Sequence, residues 1–341
     1  MSVRDATRAA IDGHEVSGEA LEAAFGEIMD GEASAVAIAG LLVALRTKGE
    51  TYREIAAAAR ALRARASTAE LLDPRTVDTC GTGGDGADTF NISTTAAFVV
   101  AGAGVPVAKH GNRAASSRAG SFDVLEALGV EIELPVETGA RILAEIGIAP
   151  FFARTAHPAM RHVAPVRQEL GLRTIMNCLG PLLNPVGARH QLVGVYAAEL
   201  VEPIARALVE LGAERALVVH GHDGLDELTT TTASDAVLAT AGSPSPERIV
   251  VEPERLGIPL AAAGELAGGD ASENAAILTS ILDGETGARR DIVALNAAGA
   301  LWAAGAVADL AAGLRAADES LASGAARAKL DALVRATQEA A

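Results

Sequence analysis

Four stretches of the chain hold residues whose types and spacing suit chemistry. The first is Asp78-Thr-Cys-Gly-Thr-Gly-Gly-Asp85-Gly-Ala-Asp-Thr-Phe-Asn91-Ile-Ser93-Thr94, in which four glycines stand beside acids, an amide and hydroxyls. Gly81, Gly83 and Gly86 satisfy G-x-G-x-x-G, but a dinucleotide site also wants an acidic residue about twenty positions on. None falls between Asp88 and Asp123. Gly81 and Gly86 also have P-loop spacing, yet Ala87 and Asp88 stand where Lys and a hydroxyl are needed. What survives is physical: glycines let backbone N–H groups approach an anion, and a helix starting near Ser93 turns its positive end toward it. A glycine-rich turn with ordinary Asn/Ser capping is the plain alternative.

The second stretch is Lys109-His110-Gly111-Asn112-Arg113-Ala114-Ala115-Ser116-Ser117-Arg118-Ala-Gly-Ser121, placed directly after a β-rich run. Three cations and three hydroxyls within thirteen residues oppose the acidic field of the whole chain, as a phosphate or diphosphate requires. A solvated loop with snorkelling Lys and Arg is the alternative, and His110 alone reads more readily as a hydrogen-bonder than as a base. The third stretch, His220-Gly-His222-Asp223-Gly-Leu225-Asp226-Glu227, offers adjacent acids. They are either solvated surface or, beside a phosphate site, ligands of Mg²⁺, which takes one or two carboxylates plus substrate oxygens. Zinc on His220 and His222 lacks a third soft ligand nearby. The fourth, residues 154–185, carries Arg154, His157, Arg161, His162, Arg167, Arg173, Asn177 and Asn184. Arginine is suited to holding a planar carboxylate in bidentate fashion, but position does not say which one does so.

These stretches need a scaffold. The 341 residues are 50% apolar and only 3% aromatic, with 28 basic against 44 acidic side chains and a net charge of −16. Such a charge argues against nucleic acid or an anionic membrane as a partner, so any anionic ligand must be held locally. Cys80 and Cys178 form no CxxC pair, which indicates neither a disulfide framework nor a zinc ribbon. No export signal or membrane span is read: acids precede the apolar run 33–45, and the uncharged run 89–108 is rich in hydroxyls, Gly and Pro. A cytoplasmic setting is expected.

The first seventy residues read as three helices. Gly18–Met29 is amphipathic; Ile38, Leu41, Leu42 and Leu45 form one stripe; Thr51 and Glu54 have capping-box spacing and open a helix to about Arg65. Three helices bury little alone, so they should pack on the rest or on a second subunit. From Arg75 strands and helices alternate: strands at 76–79, 105–108 and 216–220, helices at 93–103 and 200–211. The fold class expected is α/β with a mostly parallel central sheet flanked by helices, and chemistry is sought in the loops after Thr79, Ala108 and Val219. Beyond Gly268 the chain reads as helices again, at 291–304 and 309–335.

Taken together, the glycine loop, the Lys109-His-Gly-Asn-Arg run closing with Gly120-Ser121-Phe122-Asp123, the Arg173-Thr…Gly180-Pro181…Asn184-Pro185 segment and the Asp226-Glu227 loop resemble the anthranilate phosphoribosyltransferase family along essentially the full length. The resemblance implies a small helical domain, 1–72, completed by a segment returning at about 165–186, and a large α/β domain, 73–341. It implies a homodimer formed through the helical domain. Carried over, it puts 5-phosphoribosyl 1-diphosphate on Gly81, Gly84, Asp85, Thr89, Asn91, Ile92, Ser93, Thr94, Lys109, His110, Gly111, Asn112, Arg113, Ala114, Ala115, Ser116, Ser117 and Ser121. Magnesium falls to Ser93, Asp226 and Glu227, and anthranilate to Gly81, Asn112 and Arg167. Phe122, Met176 and Cys178 depart from the family pattern without deleting a charged ligand. The reaction implied joins the ribosyl C1 to the amine of anthranilate as diphosphate leaves. An aniline nitrogen is neutral at pH 7, so the absence of a nucleophile–base pair fits. Two rivals are a pyrimidine nucleoside phosphorylase of the same fold and a non-catalytic nucleic-acid-binding relative.

Overall fold

The computed structural model describes residues 2–114 and 118–341. Its centre is a seven-stranded sheet: β1 Val77–Asp78, β2 Val107–Gly111, β3 Ile148–Phe152, β4 His190–Gly194, β5 Arg215–Gly221, β6 Ser234–Thr240 and β7 Glu247–Val251, in the order β3-β2-β1-β4-β5-β6-β7. The five strands from β3 to β5 pair in parallel, and β6 and β7 add an antiparallel ribbon at one edge. Both faces are covered, as parallel sheets require. The alternation is visible in β5, where Leu217 and Val219 join one apolar cluster while Ala216 and Val218 join the other. The chain winds outward from β1 to β3 and then returns to lay β4 on the other side of β1, so the sheet has its switch point between β1 and β4. Crevices of this kind, at the carboxyl ends of the strands, receive ligands.

The N-terminal part has four helices, not three: α1 Val3–Ile11, α2 Gly18–Met29, α3 Ala35–Lys48 and α4 Tyr52–Arg63. The additional α1 is a nine-residue helix capped by Ser2 and Asp5, and it buries only Val3, Ala6 and Ala10. Two of these three are alanines, so the stripe is amphipathic but only weakly apolar. Ile38, Leu41, Leu42 and Leu45 are all buried, and Thr51 with Glu54 makes the capping box. Val163, Val166, Ile175, Met176, Cys178, Leu179, Leu182 and Leu183 share the apolar cluster of these helices.

α5, Ile92–Gly102, follows the glycine loop and runs under the sheet. Among the described residues no helix is long and apolar enough to cross a membrane. One boundary shifts the chemistry. β2 continues to Gly111, so Lys109 and His110 belong to the strand and are buried, where the reading above put them in a loop. Phe122, one of the departures noted above, stacks on Phe152 with centroids 5.0 Å apart in the adjoining core.

Candidate active site

The glycine loop leaves β1 at the switch point. Gly83, Gly84 and Gly86 have φ of 64°, 79° and 77°, a region other residues enter only at a cost, and they curl the loop over the strand ends. The loop is fastened from three directions. Thr82 N–H donates to the Gly194 carbonyl at the end of β4 (2.9 Å), Gly83 N–H donates to Asp226 Oδ2 (2.7 Å), and Arg173 donates to the Gly84 carbonyl while its guanidinium lies 4.3 Å from the Tyr196 ring centroid. Thr89 bridges to Ala267 at the loop's exit.

The loop after β5 brings Asp226 and Glu227 to the same place. Asp223 pins it by accepting from Leu225 N–H (3.2 Å) and Thr229 Oγ1 (2.6 Å). It fits only because position 194 is glycine: a Cβ there would lie 1.5 Å from the Asp226 carbonyl oxygen. Glu227 Oε1 accepts from Ser93 N–H in the first turn of α5 (3.2 Å), so the helix N-terminus meets a carboxylate. Asp85 Oδ1 accepts from Ala87 N–H at 3.2 Å, and its Oδ2 lies 3.5 Å from Asp226 N. Ile92 and Thr94 are buried in α5, and Asn91 caps it without a side-chain hydrogen bond to the helix.

Charge is concentrated here. Burial, then neighbouring Glu227 and Asp85, hold the Asp226 carboxyl well above the usual range. Burial pushes Glu227 up to about 8 against the pull of Lys109. Burial also raises Asp78 to about 6, although Lys109, the Asn184 amide (2.9 Å) and His110 N–H (3.1 Å) all favour its charged form. The buried ammonium at this site, that of Lys109, donates to the Thr79 carbonyl and hydroxyl at 3.3 Å. With one cation facing several acids, Asp226 and Glu227 ionise together only when a further positive charge joins them. The donors on offer, two carboxylates and the Ser93 hydroxyl, are hard oxygens, which fits Mg²⁺. Zinc does not fit: His220 Nδ1 donates to the Val195 carbonyl (2.8 Å) while His222 Nε2 faces Asp235 (3.1 Å). No group of three or more His, Cys, Asp or Glu side chains assembles as a metal cluster among the described residues.

The basic run is less free than its composition implied. Arg113 is paired with Glu126 (2.7 Å) and Asp123 (3.2 Å), and Arg118 faces Glu273 (3.6 Å). Asp123 also accepts from Ala114 N–H (2.8 Å), and the Asn112 carbonyl accepts from Ser121 Oγ (3.3 Å), which holds Asn112 and Ala114 against the start of the helix at Ser121. Ala115, Ser116 and Ser117 lie outside the described residues.

Among the arginines of the fourth stretch the structure does discriminate. Arg154 faces Glu133 (3.9 Å), Arg161 donates to the Pro158 carbonyl (3.4 Å), and Arg173 holds the glycine loop. Arg167, on the helix Ala164–Leu170, has neither ion pair nor side-chain hydrogen bond among the described residues, and burial alone lowers its pKa. A half-buried guanidinium without a counter-charge is costly unless a ligand supplies one. Nearby in sequence, the Thr174 hydroxyl is buried without a hydrogen-bond partner among the described residues, as is His110 Nε2, while His110 Nδ1 donates to the Gly180 carbonyl (3.2 Å). The His110 and His157 rings meet edge to face at 5.3 Å. Burial pushes them down to about 3 and about 4, so both are neutral. Asp78, Asn184, Gly194 and Tyr196 were not assigned roles from sequence. Only Asp78 and Asn184, a charge and an amide inside motif runs, carried any signal.

The comparisons with known proteins agree with this geometry. A family model described as the a/b domain of a glycosyl transferase family matches residues 73–327, and one for its helical bundle domain matches residues 4–66. The anthranilate phosphoribosyltransferase of Rubrobacter xylanophilus is 52% identical over 340 residues, covering 99% of this chain and 98% of that protein. The chain belongs to the anthranilate phosphoribosyltransferase family. The family's crystal structure from Thermus thermophilus superposes with a TM-score of 0.93 at 46% identity, covering 98% of this chain and 99% of that one. The family's Saccharomyces cerevisiae member in complex with PRPP and Mg superposes with a TM-score of 0.90 at 26% identity, covering 99% and 98%.

Proposed function

We propose that the chain transfers the 5-phosphoribosyl group of PRPP to the amine of anthranilate, releasing diphosphate. The observation that carries this reading is the amide-lined, over-acidic loop at the switch point, and the Arg167 guanidinium, without a counter-charge among the described residues, is consistent with it. The relatives' names and the yeast complex with PRPP and Mg support it.

Ser93, Asp226 and Glu227 would hold Mg²⁺. Bound there, the ion neutralises charge on the diphosphate and makes it a better leaving group. The chain supplies the rest. Backbone N–H groups of residues 81–85 and the N-terminus of α5 face the anionic donor, together with Gly84, Asp85, Thr89, Asn91, Lys109, His110, Gly111, Asn112, Arg113, Ala114 and Ser121. Arg167 holds the anthranilate carboxylate, and Asn112 and Gly81 flank it. The C1–O bond to diphosphate breaks as the C1–N bond forms, and the proton shed by the nitrogen passes to the departing diphosphate or to water. His110 and His157 stay neutral and act as hydrogen-bonding surface rather than as acids. Alignment of amine, C1 and leaving group can supply roughly 7–11 kcal/mol of the barrier reduction.

A homodimer is part of the proposal. α3 leaves Val36 at 83% and Val43 at 38% exposed on one face with exposed Gly40 between them, and Ile11 at the end of α1 is 70% exposed. A stripe of this kind on the helical part suits a second copy.

The test is loss of anthranilate fluorescence on mixing with PRPP. Turnover that requires Mg²⁺ is expected. Cleavage of uridine or thymidine by phosphate, with none of anthranilate consumed, contradicts the reading.

A further inference from the structure

Asn91 sits where α5 begins, at the edge of the glycine loop, and its side chain is not used to cap the helix. It is oriented instead from 183 residues away. Asn274 lies in the first turn of the helix Ala271–Leu282 and is 2% exposed. The polarity of its amide is fixed, because Gly269 N–H can only donate and reaches Asn274 Oδ1 at 2.7 Å. The other end of that amide is therefore its NH₂, which donates to Asn91 Oδ1 at 2.9 Å. Asn91 is then obliged to present its own NH₂ on the opposite side, where one hydrogen reaches the Ala119 carbonyl at 3.4 Å. The same C-terminal segment brackets the loop exit: Phe90 N–H donates to the Leu266 carbonyl (3.2 Å) and Gly268 N–H to the Asp88 carbonyl (2.9 Å).

We infer that Asn274 is a positioning residue that sets the direction of the Asn91 amide, so that a donor rather than an acceptor faces the phosphoribosyl group. The inference rests on the proposed donor site at Asn91. An anionic substrate is attracted by an N–H and repelled by a carbonyl oxygen, so a reversed amide is worse than a missing one.

Asn274→Asp keeps an acceptor for Gly269 N–H but turns a second oxygen on Asn91, which favours the reversed amide. Asn274→Ala removes the constraint without imposing the reversal. The expected result is a donor KM raised about tenfold in N274D and less in N274A, the scale of one buried hydrogen bond. The anthranilate KM should stay within twofold. A packing role would give the opposite order, because Ala leaves the larger void. In the Asn91→Ala background N274D should add nothing. In protein labelled with ¹⁵N-asparagine, the Asn91 side-chain NH₂ signal, identified by its loss in N91A, should move in N274D. Equal factors with and without Asn91, N274A worse than N274D, or an unmoved signal overturns the inference. A moved signal with a donor KM indifferent to N91A supports the orientation by Asn274 and removes Asn91 from the donor site.

Discussion

The two halves of the proposed site are built on opposite principles. On the glycine-loop side the buried acids are already engaged: Asp226 with Gly83 N–H, Glu227 with Ser93 N–H, and Asp78 with His110 N–H and Asn184. On the segment 157–180, Arg167 lacks a counter-charge and the Thr174 hydroxyl lacks a partner among the described residues. The first half holds its geometry without substrate and needs only charge. The second half is short of hydrogen bonds and charge until a ligand arrives. A leaving diphosphate is served by preorganised dipoles, whereas an acceptor can complete its own binding site.

Breaking the preorganised half should cost most. Asp226→Asn is expected to lower kcat/KM by about 10²–10³-fold, the scale of one lost electrostatic contact in a transition state. An Mg²⁺ titration of initial rates checks it; an unchanged metal requirement would place the ion elsewhere. Gly194→Ala strikes the same half through sterics alone, since its Cβ would fall 1.5 Å from the Asp226 carbonyl oxygen. It should destabilise by about 1–3 kcal/mol and raise the Mg²⁺ concentration needed for half-maximal rate. A variant with wild-type melting and metal response would show that the loop has slack.

The open half should respond selectively. Arg167→Ala is expected to raise the anthranilate KM by about 10²-fold, with the donor KM much less affected. Equal effects on both substrates would deny Arg167 its role. The dimer is a separate lever: Val36→Glu with Val43→Glu should shift sedimentation from dimer to monomer, and an unchanged dimer would move the interface off α3.

The smallest effect is a pH dependence. The folded chain keeps His157 neutral down to about pH 4, while an unfolded chain protonates it near 6.5. His157 thus costs stability as pH falls from about 6.5 to 4, at up to about 1.4 kcal/mol per pH unit. His157→Gln lacks that cost, so its stability relative to the wild type should rise on acidification across this window. Denaturant midpoints at several pH values would read it, and a flat difference would mean the folded ring does take up the proton.

Much of this was legible in the chain. The α3 stripe, the Thr51–Glu54 cap, three strands and the glycine loop all follow from local pattern, because local pattern determines them. The carbonyl contact at Gly194 and the Asn274–Asn91 pair were not legible, since each joins residues that only the topology brings together. The basic run misled in one respect. Composition counted Arg113 as a free cation, whereas Asp123 and Glu126, ten and more residues on, return to pair with it. Residue type alone left Arg167 one of several arginines, and only the resemblance picked it out; burial and the absence of a partner among the described residues set it apart from Arg154, Arg161 and Arg173.

The resting place of the diphosphate is the decisive observation. A crystal grown with PRPP and Mg²⁺ should show it against the amides of residues 81–85 and the first turn of α5, with the ion on Ser93, Asp226 and Glu227. Diphosphate density seated away from that loop, with the loop's carboxylates unliganded, would contradict this placement.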